Sequence, residues 1–227
     1  MSIINTQHAM LHKVAESLGE LIDKVVFIGG CTTGLFITDD YTKEQVRYTD
    51  DVDLIVDIGS YAAWTLLMEK LRTKGFKESA DEDFIYRLCL GELKVDFMST
   101  DEKILGFSNR WYKQAVANAQ NYPLTQQYTI KLVRPEYFVA TKLEAYKGRG
   151  NDDALGSHDI EDLINIFDGR PEIVMEITKA DISLQAFIKA QLQLLLDDHN
   201  FQYAVQSATR NDSGREQLIF ERIESCT

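Results

Sequence analysis

Cysteine is scarce in this sequence, and what there is carries no pattern. Cys31, Cys89 and Cys226 are the only three in 227 residues. No Cys-x-x-Cys spacing occurs, which argues against a disulfide framework and against a thiolate zinc site. Cys31 follows a glycine pair and reads as a small buried residue filling a turn. No apolar run is long enough to span a bilayer. The opening Met1-Ser2-Ile3-Ile4-Asn5-Thr6-Gln7 lacks the basic and apolar stretches of a signal peptide, so the expectation is a cytoplasmic protein with no membrane partner. Positive charge is also short: 24 Lys and Arg stand against 36 Asp and Glu, a formal net charge of -12. Affinity for nucleic acid in general depends on Lys and Arg neutralising phosphates, so the balance argues against broad non-specific binding but not against a local basic groove.

What is present is ordinary in bulk and specific in three places. Hydrophobic residues make up 44% and charged residues 26%, the composition of a globular chain with a sizeable core, in one large domain or two small ones. Gly29-Gly30 closes the apolar run Lys24-Val25-Val26-Phe27-Ile28. Thr49-Asp50-Asp51-Val52-Asp53-Leu54-Ile55-Val56 follows, and later Lys94-Val95-Asp96-Phe97-Met98. Asp51 and Asp53 lie two apart in an alternating, β-branched stretch, so on a strand both point to one face. Like charges on one face repel, and aspartate is a poor strand former. A divalent cation removes that penalty, and Mg²⁺ combines few carboxylates with substrate phosphates. The competing reading is the solvated face of an edge strand.

Periodicity places these motifs. The first twenty residues read as an amphipathic helix with Met10, Val14, Leu18 and Leu21 on one face. His8 and His12 lie i, i+4 on it and read as a solvated face. Val25–Ile28 is a buried strand, Thr32–Ile37 opens a helix and Asp39–Arg47 is a polar loop. Asp51–Asp57 is the second strand, and Tyr61–Arg72 a helix with Trp64, Leu67, Met68 and Leu71 inward. Phe84–Leu90 and Leu93–Met98 are strands joined by the tight turn Gly91-Glu92. Ser108–Ala119 is a helix and Gln127–Val133 a strand. From Arg134-Pro135 onward the patterns are helical: Glu136–Lys147, His158–Phe167, Pro171–Thr178, Leu184–Leu196 and Arg215–Glu224. The expected fold class is α/β: a mixed sheet with helices over 1–133, then a helical domain over 134–227, with a cleft between the halves.

The order Gly-Gly turn, Asp-x-Asp strand, third acid on a neighbouring strand resembles the nucleotidyltransferase fold superfamily. That resemblance implies a nucleotidyltransferase-like sheet, a phosphate-binding turn at Gly29 and Gly30, and Asp51, Asp53 and Asp96 as ligands of Mg²⁺ or of Mn²⁺ in its place. Thr32 or Thr33 would donate a hydroxyl to a phosphate.

A second constellation lies in the helical region. Pro135 suits a first helical turn. Lys142, Tyr146 and Arg149 then fall at i, i+4 and i+7, one continuous face, which reads as a triphosphate clamp or as a solvated stripe. Gly148, Gly150 and Asn151-Asp152-Asp153 read as a flexible segment. Ser157 is a fitting helix N-cap, followed by His158-Asp159-Ile160-Glu161-Asp162-Leu163. His158 reads as a cap or surface residue. Lys-Leu-x-Ala, an Arg, and His-Asp-x-x-Asp-Leu look like the AbiEii-type nucleotidyltransferase family, whose members include toxins of toxin–antitoxin and phage-abortive systems. The resemblance covers most of residues 25 to 170. It implies catalytic roles for Lys142 and Asp159 beside the three carboxylates, a nucleotide-binding role for Asp162, ATP or another NTP as donor, and a cognate antitoxin as partner; on the clamp reading of the helix face, Tyr146 and Arg149 bind the nucleotide too.

The reaction so implied moves a nucleoside monophosphate from an NTP to an acceptor hydroxyl on RNA, tRNA or protein. Two other readings stand beside it. One is a small-molecule transferase of the aminoglycoside-modifying kind, which an acidic chain suits through electrostatic steering. The other is a regulatory module that binds nucleotide without turnover.

Overall fold

An apolar run without polar interruption suits a strand buried on both faces, and in Val25–Ile28 (β1) all four side chains are buried. The structure is a computed structural model that describes residues 2–78, 84–149 and 153–227. Gly150, Asn151 and Asp152 of the expected flexible segment lie outside the described residues. The chain divides into two units, one holding the residues up to Thr32 with Tyr48–Arg134, the other Thr33–Arg47 with Pro135–Thr227. The expected division at 133/134 did not foresee that residues 33–47 leave the first unit.

In the first unit the strands are β1, Asp51–Val56 (β2), Lys77–Glu78 (β3), Arg87–Leu90 (β4), Leu93–Ser99 (β5), Gln120–Pro123 (β6) and Thr129–Leu132 (β7). They form a seven-stranded sheet in the order β3-β4-β5-β2-β1-β7-β6. It is mixed: β1 runs antiparallel to β2 and parallel to β7, while β2 and β5 are parallel. β3 and β6 were not expected: β3 is two exposed charged residues and β6 is short and mostly polar. The sequence reading also began β4 three residues early, at Phe84. Ile3–Leu18 (α1) buries Leu11, Val14, Ala15 and Leu18, and Tyr61–Thr73 (α4) buries Trp64, Leu67, Met68 and Leu71. His8 and His12, expected in solvent, instead meet the loop joining β6 to β7. His8 Nε2 lies 2.9 Å from the Leu124 carbonyl and His12 packs edge-on to Tyr128.

The second unit contains only helices among the described residues: Thr33–Phe36 (α2), Asp40–Gln45 (α3), Pro135–Arg149 (α7), His158–Gly169 (α8), Ile173–Thr178 (α9), Ile182–Leu196 (α10), His199–Ala208 (α11) and Ser213–Glu224 (α12). (Two short helices of the first unit, Glu102–Leu105 and Tyr112–Ala117, are α5 and α6.) Two sequence expectations change here. His199–Ala208 is a helix, not a connection. Asp39–Arg47 is not a loop either, because Asp39 caps α3 by accepting the Thr42 N–H at 2.9 Å. The segment packs on α8 at Gly169, where an added Cβ would lie 2.5 Å from Ile37 and 2.9 Å from Thr42. The Gly169 carbonyl accepts the Thr38 N–H at 2.9 Å. Phe36 packs at a tilt against Phe138 in the same core, with ring centroids 4.9 Å apart. No helix among the described residues is long and apolar enough to cross a membrane.

A half-exposed polar knot joins α3, α8 and α12. Arg215 pairs with Asp39 at 2.7 Å and Asp168 at 3.0 Å, and the Thr42 hydroxyl donates to Asp168 at 2.6 Å. The Thr42 backbone N–H, then its hydroxyl and Arg215, hold the Asp39 carboxyl down to about 2 against the opposing effect of burial. A carboxyl with a depressed folded value stabilises above its unfolded value of 3.8 and loses that contribution as pH falls through about 2. Urea unfolding is therefore expected to show stability falling between about pH 4 and pH 2, and falling less in Asp39→Asn. A flat acid limb, or identical limbs for the two proteins, contradicts this.

Candidate metal centre

Strand register brings the three aspartates together. Parallel pairing sets Asp53 opposite Asp96, with Asp51 opposite Lys94. On β2 the polar end alternates, Asp51 and Asp53 half-exposed and Val52 buried, before the strand becomes wholly apolar at Leu54. One carboxylate oxygen from each of Asp51, Asp53 and Asp96 lies within 4.8 Å of the other two. The Thr49 hydroxyl donates to Asp51 from the segment just before β2.

The glycine turn meets this cluster from β1. Ile28 pairs with Asp53, and the next residue, Gly29, has φ +83. A Cβ at Gly29 would lie 1.8 Å from Asp53 Oδ2 and 2.6 Å from its Cγ. Glycine is required twice over, by the backbone angle and by the carboxylate against it. The Gly29 carbonyl accepts both the N–H and the hydroxyl of Thr32, at 3.0 and 2.8 Å. Thr32 and Thr33 are fully buried, and the Thr33 hydroxyl donates to Asp162 at 3.1 Å. Each of these hydroxyls, expected to meet a phosphate, here donates to an internal acceptor.

A cation sits beside the carboxylates. Arg87 on β4 lies directly opposite Asp96 on β5. Its Nε and Nη2 donate to the two Asp96 oxygens at 2.7 and 2.8 Å, and Nη2 stands 3.6 Å from Asp51. The guanidinium also lies 5.7 Å from the centre of the Phe84 ring. Phe84 stacks on Tyr86, which meets Phe107 edge-on, and both phenylalanines are exposed. Three carboxylates on adjacent strands, with a glycine cleared of any side chain, form an all-oxygen donor set that fits Mg²⁺ or Mn²⁺.

The helical unit carries a cluster of its own. Lys142 on α7 is 7% exposed and pairs with Asp159 at 3.0 Å and Asp162 at 2.6 Å, both on α8. Arg149 forks onto Asp159, with Nε at 3.1 Å and Nη2 at 3.0 Å. Arg47 reaches Asp162 at 3.2 Å. Burial by itself would raise the Asp159 carboxyl, but Lys142 and Arg149 outweigh it and hold the value below the ordinary range. Burial opposes the Lys142 ammonium likewise, and Asp162 and Asp159 together keep its value above that of a free lysine. Tyr146 is half-buried on α7, and His158 is exposed 3.5 Å from Glu161. The structure brings Lys142, Arg149, Asp159 and Asp162 into one ion-pair group, with the lysine in the core and only Arg149 at the surface.

Two cations escaped the sequence reading. Arg87 had a signal: a two-residue Gly91-Glu92 turn pairs Leu90 with Leu93, and counting back sets Arg87 against Asp96. Arg47 had none, since its partner is 115 residues away. No protein-family model matches the chain, and comparison with curated proteins finds no match.

Proposed function

We propose that the chain is a Mg²⁺-dependent nucleotidyltransferase that moves a nucleoside monophosphate from an NTP to a hydroxyl at the end of an RNA strand. The observation that carries the proposal is the convergence of Asp51, Asp53 and Asp96 beside a glycine whose Cβ would strike Asp53. It supports the nucleotidyltransferase-like sheet that the motif resemblance implied, and the helices after Pro135 support the helical half expected from periodicity.

Asp51, Asp53 and Asp96 would hold the metal, and the Gly29-Gly30 turn would receive phosphate oxygens without a side chain in the way. When bound, Mg²⁺ supplies positive charge against the triphosphate and the attacking oxygen. The acceptor oxygen bonds to the α-phosphorus while the bond from that phosphorus to the pyrophosphate breaks. Asp96 completes the metal site or takes the acceptor's proton, directly or through one water. The exposed rings of Phe84 and Phe107 favour an acceptor with a base to stack, since aromatic stacking holds single-stranded ends with little regard to sequence.

The net charge of -12 favours a second reading, a cationic small-molecule acceptor. The AbiEii-type resemblance adds a toxin role, with a cognate antitoxin, to the first. Incubation with each α-labelled NTP, Mg²⁺ and either pooled RNA or aminoglycosides separates them. Label in the RNA band, absent with EDTA and in Asp53→Asn, is the expected result. Label on the aminoglycoside selects the second reading. NTP binding without pyrophosphate release under any condition would leave a nucleotide-binding regulatory module.

A further inference from the structure

We propose that Arg87 is the resident counter-cation of the carboxylate site. It positions Asp96 before the metal arrives and keeps the affinity for a free divalent cation low, so that cation and triphosphate enter together. The inference rests on the metal-site reading above and concerns a residue outside the ligand set.

The geometry is that of a committed pair rather than a passing contact. Arg87 and Asp96 face each other across adjacent antiparallel strands, where cross-strand partners are held by the ladder itself. Two parallel donor bonds of 2.7 and 2.8 Å use the guanidinium fork, which a lysine cannot reproduce. The side chains are largely buried, 15% exposed for Arg87 and 7% for Asp96, so solvent screens the pair little.

Charge then sets the consequence. Three carboxylates and one guanidinium leave the site at two net negative charges rather than three. Nη2 also stands 3.6 Å from Asp51, so the arginine acts on two of the three ligands. A dication approaching alone meets that positive charge beside its own position. A dication carrying a triphosphate does not, because the phosphate charges offset the arginine. A purely structural cross-strand pair predicts the reverse for the free cation, since removing it would loosen Asp96 and weaken metal binding.

Mn²⁺ binding by the full chain without nucleotide, read from the electron paramagnetic resonance of the free ion, separates the two. Arg87→Gln is expected to bind Mn²⁺ on the order of tenfold more tightly than wild type, the scale on which outer residues tune metal affinity. Arg87→Lys, which keeps the charge, should stay near wild type. A non-hydrolysable NTP should tighten Mn²⁺ binding more in wild type than in Arg87→Gln. Equal or weaker binding by Arg87→Gln overturns the proposal. Arg87→Met keeps an unbranched stem against Phe84 and repeats the neutral substitution; if both neutral variants fail to fold, Arg87 is a scaffold residue and the proposal fails. Asp53→Asn guards the underlying reading. If wild type and Asp53→Asn bind Mn²⁺ alike, with and without NTP, the metal site itself is wrong, whatever Arg87 does.

Discussion

Lys142→Ala is expected to lower the free energy of unfolding by about 3 kcal/mol. Removing one partner of a buried ion pair leaves an uncompensated charge in the core, which typically costs about 3–5 kcal/mol. The low end applies here because Arg149 still reaches Asp159 and Arg47 still reaches Asp162. Asp162 nevertheless has no exposed surface and loses its shortest contact, 2.6 Å. For a chain of this size the melting temperature should fall by roughly 6–12 °C. Lys179→Ala, at an exposed position on the same unit, is the control and should stay within about 0.5 kcal/mol. A Lys142→Ala melt within 2 °C or so of wild type, below that predicted range, would show the buried pairing to be of no energetic weight. From sequence alone Lys142 reads as a surface cation whose loss harms turnover and spares the fold. The structure reverses the second half of that expectation.

The largest functional effect is expected from Asp51→Ala combined with Asp53→Ala, which should abolish Mg²⁺-dependent NTP binding. Without a bridging cation, the positive charge left beside the site is Arg87, whose fork is already taken up by Asp96. The fold should not suffer, because two like charges are taken from one strand face. An unfolding temperature equal to or above wild type, alongside lost binding, is the signature of a site that trades stability for function. Calorimetry with and without EDTA decides it. NTP affinity that survives in the double variant, or that ignores EDTA in wild type, would remove the metal from the account.

Most of what could be read in advance was local. The buried strand Val25–Ile28 and the helix faces of α1 and α4 were visible in their apolar periods, which depend only on backbone geometry. Helix α7 was visible as a helix but not in its burial. Every residue from Pro135 to Leu143 is buried, so no polar stripe marks an outer face and Lys142 cannot be sorted from its neighbours by period. The segment Asp39–Arg47 looked like a loop because it is mostly polar and its apolar residues, Tyr41 and Val46, set no helical period. Its helix is held by the Asp39 cap and by packing on Gly169, a residue far along the chain.

The sequence by itself determined which acids share a face and where a side chain could not fit. Asp51 and Asp53 share a face because a strand repeats every two residues. Gly29 follows an apolar run at the point where that strand must turn. Only the tertiary structure decided what neutralises these charges. Arg87 answers Asp96 across a strand pair, Arg47 and Lys142 converge on Asp162 from separate segments, and Arg215 joins Asp39 to Asp168. The physical reason is one of range. Periodicity is fixed by neighbouring dihedral angles, whereas an ion pair needs two side chains within about 4 Å, a distance that only the packed chain sets.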